Sequence, residues 1–263
     1  MNAPHPWRWR HRLSRVLSEA YRFAGRGSAS GRRILMYHSV GSGLKGPAEG
    51  WWSIDPLLFR EQMVWLAAAS GFEAVPLAAP RAGTAPSVAV TFDDGYRDNL
   101  AEAAPILSEL AIPFTVFVVP RFIESGEPLY LDRSDLRRLA GTPGCTLGSH
   151  GWSHRPLASL SPSEALAELR DSRAWLEDVL ARPIRSLAYP FGSVDPRVRD
   201  LAAEAGYDLA VTTRTGLNGP DRDPLLLNRT EIVGQDDPAM FRLKLRGGWD
   251  WHRLRRKVPL GLP

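Results

Sequence analysis

Val88-Ala89-Val90-Thr91-Phe92-Asp93-Asp94-Gly95 is an apolar run that ends abruptly in two adjacent carboxylates and a glycine. Its composition predicts a buried strand, as in a parallel sheet covered by helices. The carboxyl ends of such strands are where ligands bind, so Asp93 and Asp94 fall where a site is expected. An Asp-Asp-Gly triplet taken alone favours a plainer reading, a turn that caps the next helix. The choice between them rests on the rest of the chain.

Further along lies His150-Gly151-Trp152-Ser153-His154. Two histidines four apart are expected on one face of a helical turn, from which two ring nitrogens can bind one divalent metal. One carboxylate from another strand end completes a two-His, one-carboxylate set with open positions, which suits catalytic zinc or another first-row divalent ion. Asp93 and Asp94 offer that carboxylate and leave one over as a base.

Around these stretches strands and helices alternate. Arg33 to His38 reads as a first strand, followed by a Gly-rich loop over 39–50. Asp55-Pro56 opens a helix to about Ser70, Phe72 to Leu77 is a short strand, and a helix over 98–110 follows the central run. Phe114 to Val119 reads as a fully buried strand and a helix starts near Asp132. Ser161-Pro162-Ser163-Glu164 is a capping box for a helix to about Leu180. Ser186 to Tyr189, a helix from Asp195-Pro196, Tyr207 to Thr212 and a last strand within Leu225 to Val233 complete the pattern. Roughly seven alternations without internal repeats mean an α/β fold, either a doubly wound open sheet or a barrel.

Thr91-Phe92-Asp93-Asp94-Gly95, then His150-x3-His154, then Tyr189-Pro190-Phe191-Gly192 resemble the ordered motifs of the polysaccharide deacetylases, the NodB-homology carbohydrate esterases of family 4. The resemblance spans roughly residues 33 to 233. It implies a distorted (β/α)7 barrel and a metal-dependent hydrolase that removes N-acetyl groups from sugars of a bacterial exopolysaccharide, a cell-surface polysaccharide or a lipid-linked precursor. Carried over residue by residue, it makes Asp94, His150 and His154 ligands of one divalent ion, Zn2+ or alternatively Co2+, Ni2+ or Mn2+. It makes Asp93 the general base and the backbone N–H of Phe191 the oxyanion donor, and it assigns Tyr189 and Trp152 to substrate binding.

Three positions depart from the family pattern. Gly151 stands where Ser or Thr usually follows the first histidine. Ala188 stands where an arginine usually orients the base; Arg229 is a candidate replacement, and an ordinary exposed strand-end arginine is the competing reading. The usual C-terminal Leu-x-His acid is absent. Met36-Tyr37-His38 matches a subset, the poly-N-acetylglucosamine deacetylases, that resembles a circular permutation, and makes His38 the expected acid. Competing readings are a catalytically silent carbohydrate-binding protein of the same fold and a deacetylase of O-acetyl esters or small amides.

With 263 residues and 44% hydrophobic content, the chain can bury one large core. One cysteine, Cys145, excludes an intramolecular disulfide framework. Residues 1–33 carry +7 and residues 242–257 carry +6, leaving −9 for the body out of a net +4. An acidic body argues against a nucleic-acid partner. The expected organisation is a basic extension over 1–30, a catalytic domain over 31–241 and a second basic extension over 242–263. No continuous apolar stretch marks a secretory signal or a membrane span. The expected location is cytoplasmic, peripheral at an anionic membrane surface, through the basic ends and Trp7, Trp9, Trp249 and Trp251.

Overall fold

The computed structural model describes residues 15–21, 23, 31–41, 51–69, 71–80 and 86–251. β1 (Arg32–Tyr37) leads into the short parallel pair β2 (Ser39–Val40) and β3 (Ser53–Ile54) and then α1 (Pro56–Ala69). β4 (Glu73–Ala74) and β5 (Ser87–Phe92) follow, then one π-helical turn (Asn99–Ala103) that runs into α2 (Ala104–Glu109). Next come β6 (Phe114–Val118), α3 (Pro120–Glu124), α4 (Arg133–Ala140), β7 (Cys145–Ser149) and α5 (Pro162–Leu180). The chain continues through β8 (Ser186–Ala188), α6 (Pro196–Glu204), β9 (Leu209–Val211), β10 (Thr230–Glu231) and α7 (Pro238–Leu245). Helix starts follow side-chain chemistry. Asp132 and Ser161 close capping boxes on α4 and α5, while Asp195 and Asp237 cap α6 and α7, each ahead of a first-turn proline.

All pairings in the main sheet are parallel, in the order β10-β1-β5-β6-β7-β8-β9, with β4 also on β5. Both ends of this path meet in one segment. Leu227 bridges to Val211 of β9, and Thr230 and Glu231, three and four residues on, pair with Leu35 and Met36 of β1. The sheet is thereby curled into the distorted barrel. Alternation along the strands divides the core. Leu35, Tyr37, Val88, Val90, Phe92, Phe114, Val116 and Val118 pack outward beneath the helices, whereas Ile34, Ala89, Phe117, Ala188, Val211 and Leu227 fill the interior.

Three expectations change. His150 to His154 is not a helical turn but a loop leaving β7, with left-handed backbone at Gly151 (φ 72°) and His154 (φ 60°). The helix expected from residue 98 begins as the π-turn at Asn99. Part of the basic charge at the ends belongs to the folded domain, whose helix α7 runs across residue 242. Arg33 is fully buried and forms a paired contact with Asp250 at 2.9 Å, and Lys244 is buried against Asp236 at 2.6 Å.

Residues 15–21 are helical, with Val16, Leu17 and Phe23 exposed. The rest of the N-terminal extension, including Trp7 and Trp9, lies outside the described residues. Trp249 faces Lys244, and the indole N–H of Trp251 donates to Ser18 Oγ at 2.8 Å, so both rings pack on the protein. Among the described residues no helix is long and apolar enough to cross a membrane.

Candidate active site

Two functional side chains stand at the end of β5. Asp93 continues the inward face of that strand, and its N–H donates to the Tyr37 carbonyl of β1. Asp94 turns left-handed (φ 73°), which swings its carboxylate to the mouth of the barrel. The chain then descends through Gly95 (φ 75°). Among the described residues five non-glycine residues have positive φ, and three of them, Asp94, His154 and Phe191, surround this mouth. Non-glycine residues persist in that region only where their surroundings hold them there, and such positions concentrate at functional sites.

His150 and His154 converge on Asp94. Asp94 Oδ1 lies 3.6 Å from His150 Nε2 and 3.4 Å from His154 Nε2, and one ligand atom from each residue lies within 4.8 Å of the others. His150 Nδ1 sits 2.7 Å from the Ala188 carbonyl, which can only accept, so Nδ1 carries the proton and Nε2 presents a lone pair. Burial pushes the His150 pKa down to about 3 and lowers that of His154, so both rings are neutral. Burial likewise pushes Asp94 up to about 6, and its Oδ1 is buried without a hydrogen-bond partner.

An acceptor oxygen thus faces imidazole nitrogens at close range. Such acceptors repel one another unless a cation lies between them, so the donor set fits a divalent metal. Cys145 is no part of it: it is buried, and burial pushes its thiol up to about 12.

Asp93 is held differently. Arg229, fully buried, donates from Nη1 to Oδ1 at 2.6 Å and from Nη2 to Oδ2 at 2.7 Å. Its Nε donates to the Thr212 carbonyl at 2.9 Å, and its guanidinium lies over the Phe117 ring at 5.8 Å. Burial alone would raise the Asp93 pKa, but Arg229 and then His150 outweigh it and keep the carboxylate ionised well below the ordinary range. The reading of Arg229 as an ordinary exposed arginine is therefore corrected: it spans the seam between β9 and β10 and points inward.

His38 leaves β1 beside this pair. Its carbonyl accepts from Asn99 Nδ2 at 2.8 Å, its Nδ1 is buried without a partner, and its ring lies 6.0 Å from that of Trp52. Burial lowers its pKa while Asp94 and Asp93 raise it. Phe191 (φ 57°) is 55% exposed, with its ring 4.5 Å from that of His154, and among the described residues its N–H has no hydrogen-bond partner.

Comparison with known proteins agrees with this arrangement. The family model described as Polysaccharide deacetylase matches residues 81–210. YxkH of Bacillus subtilis, itself named by family as a polysaccharide deacetylase, is 27% identical over 208 residues, covering 76% of this chain and 70% of that protein. The Streptococcus pyogenes deacetylase PplD, solved in complex with acetate, superposes with a TM-score of 0.72 at 25% identity, over 82% of this chain and 98% of that one. The chain carries a polysaccharide deacetylase domain. Chitin deacetylase 1 of Cryptococcus neoformans var. grubii is 28% identical over 124 residues, 47% of this chain but 25% of that protein.

In this deacetylase the structure brings Asp93, Asp94, His150, His154, His38, Arg229 and the Phe191 backbone to one mouth. It does not bring Tyr189, whose ring is fully buried and whose hydroxyl donates to the Leu225 carbonyl at 3.0 Å. That contradicts the substrate-binding assignment: the side chain faces the core because the strand alternates and only the following Phe191 reaches the surface. Trp152 is half-buried and lines a shallow depression with Arg155, Glu164 and Glu168 that none of the triad lines.

The sequence reading missed Trp52, Asn99 and Glu168. Glu168 carried a signal, since a carboxylate on the buried stripe of Ala165, Leu169, Ser172 and Leu176 requires a polar partner.

Proposed function

We infer that this deacetylase is a metal-dependent hydrolase of N-acetylated sugars, acting on a bacterial exopolysaccharide, a cell-surface polysaccharide or a lipid-linked precursor, with Zn2+ as the expected metal and Co2+, Ni2+ or Mn2+ as alternatives. The observation that carries it is Asp94 Oδ1, buried without a partner and set against the Nε2 atoms of His150 and His154 beside an Arg229-locked Asp93. A divalent cation held by these three residues supplies Lewis acidity at the acetyl carbonyl and acidifies water.

The other steps belong to groups of the chain itself. Asp93, kept ionised and oriented by both nitrogens of Arg229, accepts the proton of the attacking water. The N–H of Phe191 is the donor for the tetrahedral oxyanion. His38, at the end of β1 next to Asp93 and Asp94, gives a proton to the departing amine, and the carbonyl bond to nitrogen breaks to leave acetate and a free amino sugar. The same reading puts the protein at the cytoplasmic face of a membrane, attracted through its basic ends.

Substrate class is tested by acetate release from three sets: N-acetylglucosamine oligosaccharides, O-acetylated sugars and small acetamides. Release confined to, or strongest on, the N-acetylated oligosaccharides is expected. Preferential cleavage of O-acetyl esters or small amides would replace the substrate class, and tight oligosaccharide binding without release in any set would make the protein a silent carbohydrate binder.

A further inference from the structure

The loop that carries both histidines lacks the hydroxyl expected after the first of them. At Gly151 (φ 72°) there is little space for one: an added Cβ would sit 3.3 Å from Pro190 Cγ and 3.5 Å from Glu168 Oε2. A hydroxyl does stand two residues on, at Ser153. There both the N–H (2.9 Å to Oε2) and the Oγ–H (to Oε1) donate to Glu168, a buried carboxylate in the middle of α5.

One helical turn further on, Ser172 Oγ exchanges a hydrogen bond with Ser149 Oγ at 2.7 Å. Ser149 Oγ in turn accepts from the Gly151 N–H at 3.2 Å. Residues 168 and 172 lie on one face of the helix. They therefore grip the loop on either side of His150 and immediately before His154, whose own backbone is left-handed (φ 60°).

We propose that Glu168, acting through Ser153 and assisted by Ser172, is a positioning residue that holds the His150–His154 loop in its metal-ligating shape. The geometry favours this over a purely structural role. Both oxygens of a buried carboxylate are spent on one residue adjacent to a ligand, and no arginine or lysine pairs with Glu168 among the described residues. Outer partners of ligating residues commonly contribute 10–100-fold in metal affinity.

The inference rests on the metal-centre reading, and the experiment separates the two. Co2+ affinity, by competition with a chromophoric chelator, and the visible absorption of the Co2+ protein are measured for wild type, His150→Ala, Glu168→Ala, Glu168→Gln and Ser153→Ala. Expected is tight binding by wild type and its loss in His150→Ala. Glu168→Ala should bind roughly 10–100-fold more weakly with an altered Co2+ spectrum. Glu168→Gln, which keeps one acceptor, should fall between it and wild type. Ser153→Ala leaves the helix intact and reports on the clamp even where Glu168→Ala does not fold; a weaker affinity and a shifted spectrum are expected. Wild-type affinity and spectrum in Ser153→Ala and Glu168→Gln would overturn the positioning role while leaving the metal centre standing. No Co2+ binding by wild type would overturn the metal reading and this proposal together.

Discussion

Asp93 and Arg229 form a bidentate pair between two buried side chains 136 residues apart in the chain. Removing the guanidinium leaves a buried anion without compensation, a loss of about 3–5 kcal/mol for pairs of this kind. Arg229→Ala should lower unfolding stability by that order in urea titrations, whereas Arg229→Lys should keep most of the stability and lose the two-point hold on the base. The pH dependence has a definite sign. The folded pKa of Asp93 is depressed, so its contribution to stability is present above the unfolded value and is lost as pH falls through the folded one. With Arg229 gone, burial dominates and the acid limb of kcat/KM should move to higher pH; an unmoved limb would exclude Asp93 as the base. His38 predicts the opposite limb. It must be protonated to serve the leaving amine, so activity should fall as pH rises through its pKa. His38→Gln should lower turnover roughly 10²-fold or more and abolish that limb without changing metal content. The Asp and His positions were legible because their chemistry is concentrated in short motifs. Arg229 was not decidable, because its partner lies 136 residues away and only barrel closure brings them together.

Helices with explicit caps were legible at the scale of elements: Asp55, Asp132, Ser161 and Asp195 each mark a start that the structure reproduces. Asp237-Pro238 carried the same signal and was overlooked, because Arg242, Lys244 and Arg246 made the segment read as a basic tail. In the structure α7 packs Met240, Phe241 and Leu245 inward and buries the Lys244 ammonium between Asp236 Oδ2 (2.6 Å) and the Glu231 carbonyl (2.8 Å). Asp236 Oδ2 also accepts from the Val233 N–H at 2.9 Å, so this network fixes the turn that follows β10. Lys244→Ala should therefore cost about 3–5 kcal/mol, well above the loss from breaking an exposed pair such as Arg60–Glu109, both read from urea unfolding. Equal, small losses at both pairs would contradict this account of α7. The π-turn and the two-residue strands β2 and β3 were illegible for a different reason: they are too short to impose a hydrophobic period.

Across the whole molecule, the barrel puts the ends of β1, β5, β7, β8 and β10 at one mouth, which is why residues from 38 to 229 meet there. The alternation of strands and helices announced an α/β fold; the choice of a curled sheet over an open one depends on the Leu227 to Glu231 segment, whose pairing with both β9 and β1 leaves no local trace in sequence. Charge at the ends was read as surface, yet Arg33 and Lys244 are spent inside the fold, so fewer cations remain to meet a membrane. Each basic residue near an anionic surface contributes about 1 kcal/mol, so weak, salt-sensitive sedimentation with anionic vesicles is expected and none with neutral ones. Equal recovery in the supernatant at low and high salt with both vesicle types would remove the membrane reading. The central claim is that Asp94, His150 and His154 hold a divalent ion on which deacetylation depends. Its most direct test is acetate release from N-acetylglucosamine oligosaccharides by wild type, by chelated wild type, by chelated protein reloaded with Zn2+, and by His154→Ala. The account predicts release that is abolished by chelation, restored by Zn2+, and low in His154→Ala whether or not Zn2+ is added; release of equal rate in all four samples would contradict it.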